Sequence, residues 1–208
     1  MKHPIVAGII RRGSRGCAPA ASGGANSNAQ DLKGWASLHL ASFCERQTSW
    51  DIVGTLLKDD ANANAQDKEG RSPLHLASFL SEKEVVRLLL ESGNVDAQDN
   101  EGNTALHLAS SRGGGGTEVA QPLLEGGGSP NAQDSKGSVS LHLGTSTGQV
   151  EDVHLPLEGR ANAVAQGLKG WSSLHLEAFL EKNRDRGPVS QGPRECKHPT
   201  KMEEPRCT

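Results

Sequence analysis

Histidine is the residue of this sequence whose type and spacing first suggest chemistry. It recurs in five Leu-His-Leu tripeptides, at steps of 36, 32, 35 and 33 residues. Imidazole is a common zinc ligand, but its nitrogen must lie about 2.0–2.1 Å from the metal. Equivalent residues on packed helices lie about 8–10 Å apart, so neighbours in a stack cannot share an ion. We therefore do not expect these histidines to bind a metal ion. They are His39, His75, His107, His142 and His175.

The C-terminal segment holds a second group of potential metal ligands, Cys196, His198 and Cys207. Their spacing matches no closed zinc site. The sequence also has no phosphate-binding loop. Its four cysteines show no disulfide spacing, which favours a reducing compartment. The sequence therefore predicts no catalytic residue, metal or cofactor, and a protein that is not an enzyme.

Each motif histidine belongs to a unit of about 33 residues that repeats along the chain. In the best-formed copy, Asp67–Gly70 predicts a turn, and Ser72 predicts the cap of a helix that begins at Pro73. Val85–Leu90 supplies the apolar face of a second helix. Each unit ends in Ala-Gln, and a glycine marks the loop that follows. A unit this small cannot bury its own apolar face, so the copies must stack as a helical solenoid.

The core of this unit, Ser72-Pro73-Leu74-His75-Leu76-Ala77, resembles the ankyrin-repeat signature. The resemblance covers about residues 22–183. It implies an all-α ankyrin-repeat helical solenoid with short hairpin-like loops between the repeats. It also implies that each motif histidine ties its loop to the neighbouring repeat, and that the protein is a noncatalytic scaffold that binds another protein.

The repeats are expected at 31–66, 67–98, 99–133 and 134–166, with a partial fifth at 167–183. Residues 1–21 are basic and are predicted to be a disordered leader rather than a targeting segment, and the Pro-rich segment 184–208 is predicted to be a disordered tail. Pro122 and Pro156 fall inside the second helices of repeats three and four. A proline in a helix interior costs about 3 kcal/mol, so we expect both helices to be short or frayed.

The net charge and the lengths of the apolar stretches limit the kinds of partner that we expect this protein to bind. A net charge of −3 gives no basis for a clustered basic face, so we expect no nucleic acid partner. No stretch is apolar for long enough to span a membrane, so we expect no membrane partner. We expect a monomer in the cytoplasm or the nucleus, bound to another protein.

The aromatic residues indicate where that protein would bind. Each phenylalanine lies four residues after a motif histidine, and two tryptophans directly follow a loop glycine. By resemblance, these positions line the concave face formed by loop tips and first helices, and aromatic side chains are favoured at binding hot spots. Covering the core is an equally open role for the phenylalanines, whereas contact is favoured for the tryptophans because a loop tip has little core to cover. Including two residues of the polar rim, the predicted partner-binding residues are Trp35, Phe43, Arg71, Phe79, Asn103, Trp171 and Phe179.

Two alternatives to this scaffold stay open at the level of sequence. The chain could be a regulatory or targeting fragment of a larger ankyrin-containing protein, because residues 24–30 look like the end of a preceding repeat and the fifth repeat is unfinished. It could also be an eroded remnant without stable function. Pro122, Asp152, Pro156 and Gly113–Gly116 favour that second alternative.

Overall fold

A computed structural model describes residues 26–44, 49–111 and 116–147, together with 161–162, 165–167, 170, 172–173 and 175. These residues form seven α-helices and contain no β-strand, which confirms the all-α prediction. The predicted leader and tail lie outside them. The helices are α1 Ser37–Ser42, α2 Ser49–Lys58, α3 Pro73–Leu80, α4 Lys83–Leu90, α5 Ala105–Ser111, α6 Gly116–Glu125 and α7 Ser140–Thr147.

The helices form two layers that run along the array. In the inner layer α1 packs on α3, α3 on α5 and α5 on α7, while in the outer layer α2 packs on α4 and α4 on α6. One core of buried aliphatic side chains fills the space between the layers, including Leu38, Val53, Leu74 and Leu106. Because each repeat contributes only two short helices, its apolar surface is buried mainly by its neighbours.

An aspartate organises the loop that begins each repeat. The Oδ1 atom of Asp67 accepts hydrogen bonds from the backbone N–H groups of Glu69 at 3.0 Å and Arg71 at 2.8 Å. Gly70 then takes a left-handed backbone with φ of 77°, which favours glycine. Asp31, Asp99 and Asp134 make the same pair of bonds in their own loops. The turn signal in the sequence is confirmed.

The prediction of a short second helix is wrong for repeat three. Helix α6 has 10 residues with Pro122 inside it, the same length as α2. A proline removes one N–H donor but keeps its carbonyl, and the Pro122 carbonyl accepts the N–H of Gly126 at 2.9 Å. Val119 and Leu123 are fully buried beside it, so packing against α4 and α5 offsets the local cost. Pro156 lies outside the described residues.

Cys44, two residues after the end of the first helix, is disulfide-bonded in the structure. The cysteine spacing predicted no disulfide, so that prediction is wrong at this position. A reducing compartment was inferred from the lack of disulfide spacing, and that inference therefore loses its support.

Two glycines allow the cost of backbone strain to be separated from the cost of close loop packing. Gly102 has φ of 79°, and a Cβ atom there would lie 2.7 Å from the backbone nitrogen of Ser135 in the next loop. Gly127 has φ of 89° but no atom within 4 Å of such a Cβ. Alanine at either position would lower the folding stability by about 1–2 kcal/mol, because its backbone would have to be left-handed.

Gly102→Ala should therefore destabilise the full chain by at least about 1 kcal/mol more than Gly127→Ala, because it also breaks a loop-to-loop hydrogen bond. Urea denaturation followed by far-ultraviolet circular dichroism measures both variants. Equal losses would mean that the loops do not need to approach each other so closely.

Candidate protein-binding surface

The motif histidines link each repeat to the next. The Nδ1 atom of His75 accepts the backbone N–H of Ser72 at 3.1 Å, and its Nε2 atom lies 3.0 Å from the carbonyl oxygen of Asn103 in the following repeat. A backbone N–H can only donate, so Nδ1 carries no proton and Nε2–H is the donor to that carbonyl. His39 and His107 bond in the same way to the carbonyls of Arg71 and Ser138. The structural role implied for these histidines is confirmed.

Burial keeps these three imidazoles neutral. His39, His75 and His107 are each at most 1% exposed. Desolvation lowers the pKa of all three below the ordinary value of 6.5, and it outweighs the carbonyl hydrogen bonds, which act to raise the pKa. An imidazolium at these positions would leave a positive charge in the core.

A glutamine ladder runs beside the histidines. The Nε2 group of Gln98 donates to the carbonyl of Gly102 in the loop that follows it and to the carbonyl of Gln133 one repeat further on, both at 2.9 Å. Gln30 and Gln66 make the corresponding pairs of bonds. The sequence marked Ala-Gln as the end of each unit without giving it a role. In the sequence, the signal for this ladder was a glutamine side chain that recurs just before each loop.

Further bonds join the loops directly. The N–H groups of Lys68, Asn100 and Ser135 donate to a carbonyl in the preceding loop at 2.8–3.1 Å. An Asn or Asp before each loop also accepts a backbone N–H from the next repeat, as Asn28 does from Asn62 at 2.7 Å. The loops are thus fixed side by side, and they present a continuous edge.

Trp35 and Phe43 lie together on the inner layer of repeat one. Their ring centroids are 5.4 Å apart in an edge-to-face arrangement, and Trp35 also stacks on His39 with a centroid distance of 6.4 Å. The sequence predicts that Trp35 is a loop-tip residue with little core to cover. Its ring instead covers the imidazole of His39, which links repeat one to repeat two. Phe43 is 45% exposed. This aromatic cluster of Trp35, His39 and Phe43 combines a structural contact with an exposed ring.

Phe79 occupies the equivalent position of the next repeat. It lies near the end of α3, which packs on α1, and it is 44% exposed. The structure thus brings Trp35 and Phe43 into contact and sets Phe79 on the adjacent helix. Trp171 and Phe179 lie outside the described residues.

Arg71 and Asn103 brace their own loops. The Arg71 guanidinium donates to Oδ2 of Asp67 through Nε at 2.9 Å and Nη2 at 2.8 Å, and it also contacts Glu69 at 3.1 Å. Burial alone would raise the pKa of Asp67, but the hydrogen bonds and positive charge of Arg71 outweigh it and lower that pKa. The Asn103 amide donates to Asp99 at 3.1 Å. Any contact of these two residues with a partner stays a prediction.

Comparison with known proteins identifies the repeat. The sequence model of a family described as ankyrin repeats, in three copies, matches residues 38–134. Residues 38–134 are ankyrin repeats. These residues therefore fold as an ankyrin solenoid, as the resemblance implied. A comparison with curated proteins found no match.

None of the helices in the described residues is long and apolar enough to cross a membrane. Within the same part of the chain, no three His, Cys, Asp or Glu side chains are grouped so that they could hold a metal ion.

The lowered histidine pKa values predict a pH-dependent stability. The unfolded chain takes up protons below about pH 6.5, whereas the folded chain resists protonation at His39, His75 and His107. The contribution of these histidines to the free energy of unfolding is therefore fully present above that pH. It is lost as the pH falls through the lower pKa values of the folded state. Each histidine can contribute up to about 1.4 kcal/mol per pH unit within that window.

Urea denaturation of the full chain between pH 7.5 and 4.5 tests this dependence at constant ionic strength. We expect the free energy of unfolding to fall with acidification, and we expect His75→Gln to reduce proton uptake on unfolding by about one proton. A free energy that does not change over this range would contradict the assignment of neutral, buried histidines.

Proposed function

We propose that this protein is a noncatalytic scaffold that binds another protein through the face formed by its inner helices and loop tips. Ankyrin repeats generally mediate protein–protein interaction. The observation that carries the proposal is the exposure of Phe43 and Phe79, at 45% and 44%, at equivalent repeat positions by the C-terminal ends of two packed helices. Large aromatic side chains gain most from becoming buried against a partner.

The surroundings of these rings support a binding surface. The edge-to-face contact with Trp35 restricts the orientation of Phe43, which lowers the entropy lost when a partner binds. Leu40 and Leu108 are half-buried at equivalent positions of α1 and α5 in the inner layer. Lys33, Lys68 and Glu69 are exposed on the loop tips and supply a polar rim.

The proposal extends to residues that the structure does not describe. By the register of the repeat, Trp171 corresponds to Trp35 and Phe179 to Phe43. We place both in the partner-binding set on that register alone. We also propose that the protein binds as a monomer, in the cytoplasm or the nucleus.

A larger ankyrin array is the second candidate. Asn28 and Gln30 make the same bonds to the next repeat as their counterparts further along the chain, so residues 26–30 take the place of the end of a repeat. This supports a regulatory or targeting fragment of a larger ankyrin-containing protein. The unbroken histidine and glutamine ladders of the first three repeats count against an eroded remnant.

Affinity capture with the full chain, followed by mass spectrometry, would supply candidate partners, and isothermal titration calorimetry of each purified candidate gives the test. We expect Phe43→Ala and Phe79→Ala each to weaken binding by about 30-fold, the effect of losing a hot-spot side chain of about 2 kcal/mol. Trp35→Ala should weaken binding as well.

Trp50→Ala is the matched control, because Trp50 is an equally exposed aromatic residue at 47% but lies on the outer layer. Circular dichroism establishes that each variant keeps its helices. A partner whose affinity depends on Trp50 and not on Phe43 or Phe79 would overturn the proposed face.

A further inference from the structure

The outer layer of the first two repeats carries a groove between α2 and α4. Its volume is about 500 Å³. It lies on the helix layer opposite the aromatic cluster, so it is separate from the proposed partner-binding face. We call it the outer groove. It is lined by Trp50, Asp51, Gly54, Thr55, Leu57, Lys58, Leu88, Glu91 and Ser92.

Gly54 leaves the floor of the outer groove open. It lies in the middle of α2, where glycine lowers the stability of a helix relative to alanine. A Cβ atom there would meet the Leu88 side chain at an ordinary contact distance of 3.9 Å, so packing between the repeats does not require the glycine. A residue that costs local stability without a packing reason is typical of a functional position.

The corresponding positions of the other two outer helices carry long side chains. The pattern of buried residues aligns α2, α4 and α6, so that Gly54 corresponds to Arg87 in α4 and to Gln121 in α6. Both of these side chains are exposed. Repeat one has no side chain at this position, which leaves room for one that a partner supplies.

The walls of the outer groove combine an apolar surface with unpaired carboxylates. Trp50 lies one helical turn before Gly54 and is 47% exposed, and Leu88 is half-buried. Asp51 and Glu91 are exposed, and among the described residues neither of their carboxylates forms a salt bridge. The outer groove can therefore take an apolar side chain between two basic ones.

The outer layer around this groove is acidic. In α2, α4 and the residues that directly follow them, acidic residues outnumber basic ones. The acidic residues are Asp51, Asp59, Asp60, Glu84 and Glu91, and the basic residues are Lys58, Lys83 and Arg87. Such a surface attracts a basic partner and disfavours an acidic one.

The two carboxylates of the lining lie about two helical turns apart along the outer groove. Asp51 is in the first turn of α2, and Glu91 corresponds to Lys58 at the end of α2. The step from position 51 to position 58 is a rise of about 10 Å. A partner helix presents residues i and i+7 on one face at this same spacing, with i+3 and i+4 between them.

We propose that the outer groove binds a basic amphipathic helix of a partner protein. Apolar side chains at i+3 and i+4 of that helix pack on Trp50 and Leu88, above the open floor at Gly54. Basic side chains at i and i+7 pair with Asp51 and Glu91. Helices that bind in grooves use anchors at this spacing. The proposal concerns a second surface and does not depend on the function proposed for the inner face.

Fluorescence anisotropy with a synthetic probe tests the proposal on the full chain. The probe is a fluorescein-labelled, alanine-rich helical peptide with Arg at i and i+7 and Leu at i+3 and i+4. We expect saturable binding that is weakened at least about tenfold by Trp50→Ala and by Asp51→Lys with Glu91→Lys. Lys58→Ala should strengthen binding, because it removes a charge that repels the probe.

Two further variants separate occupation of the outer groove from a general effect on the fold. Gly54→Gln gives α2 the side chain that α6 carries at the same position. It should weaken binding at least about tenfold by filling the floor, while the urea midpoint does not fall, because glutamine favours a helix more than glycine does. Glu118→Lys with Glu125→Lys changes the charge equally at the corresponding positions of α6, and should alter the affinity by less than about twofold.

Several results would overturn the proposal. The probe could fail to bind, bind no better than the same peptide with Glu in place of Arg, or bind Gly54→Gln with unchanged affinity. A loss of binding in Phe43→Ala, with the groove variants unaffected, would place the probe on the inner face. Self-association of the full chain that Trp50→Ala abolishes would make a second copy the occupant. Binding that appears only with Arg11→Glu and Arg12→Glu would make the chain's own N-terminal segment the occupant.

Discussion

The hydrogen bond from histidine Nε2 to a carbonyl of the next repeat is the interaction on which the rest of the array depends. Each of these bonds starts on one helix and ends in the loop of its neighbour, as His75 does at Asn103. The imidazole is buried and the bond is partly buried, so breaking it leaves a carbonyl and an imidazole nitrogen that water compensates only in part. The bond requires a neutral ring, a tight loop and a fixed distance between repeats at the same time.

The binding surface follows from this constraint. Because the histidine, glutamine and backbone ladders fix the loops, the edge of the array is rigid and its side chains are held in position. Trp35 belongs to the proposed binding surface and stacks on His39 of the histidine ladder, so the two are in direct contact.

Features of the fold that depend on residues within one repeat could be predicted from the sequence. Features that depend on packing between neighbouring repeats could not. The turn at Asp67, the helix start at Pro73 and the histidine role depend on residue types and their recurrence, and all are confirmed. The helix through Pro122, the cover that Trp35 provides and the role of Gln98 depend on packing with a neighbouring repeat.

Hydrogen–deuterium exchange on the full chain with His75→Leu tests the central claim most directly. If the histidine couples repeats, amide protection must fall in residues 99–104, one repeat away, by more than in α4, which belongs to the repeat of His75 itself. Val86→Ala, which removes buried side-chain volume within repeat two, is the comparison and should lower protection around its own helices first. A loss confined to residues 72–90, with 99–104 unchanged, would contradict the account.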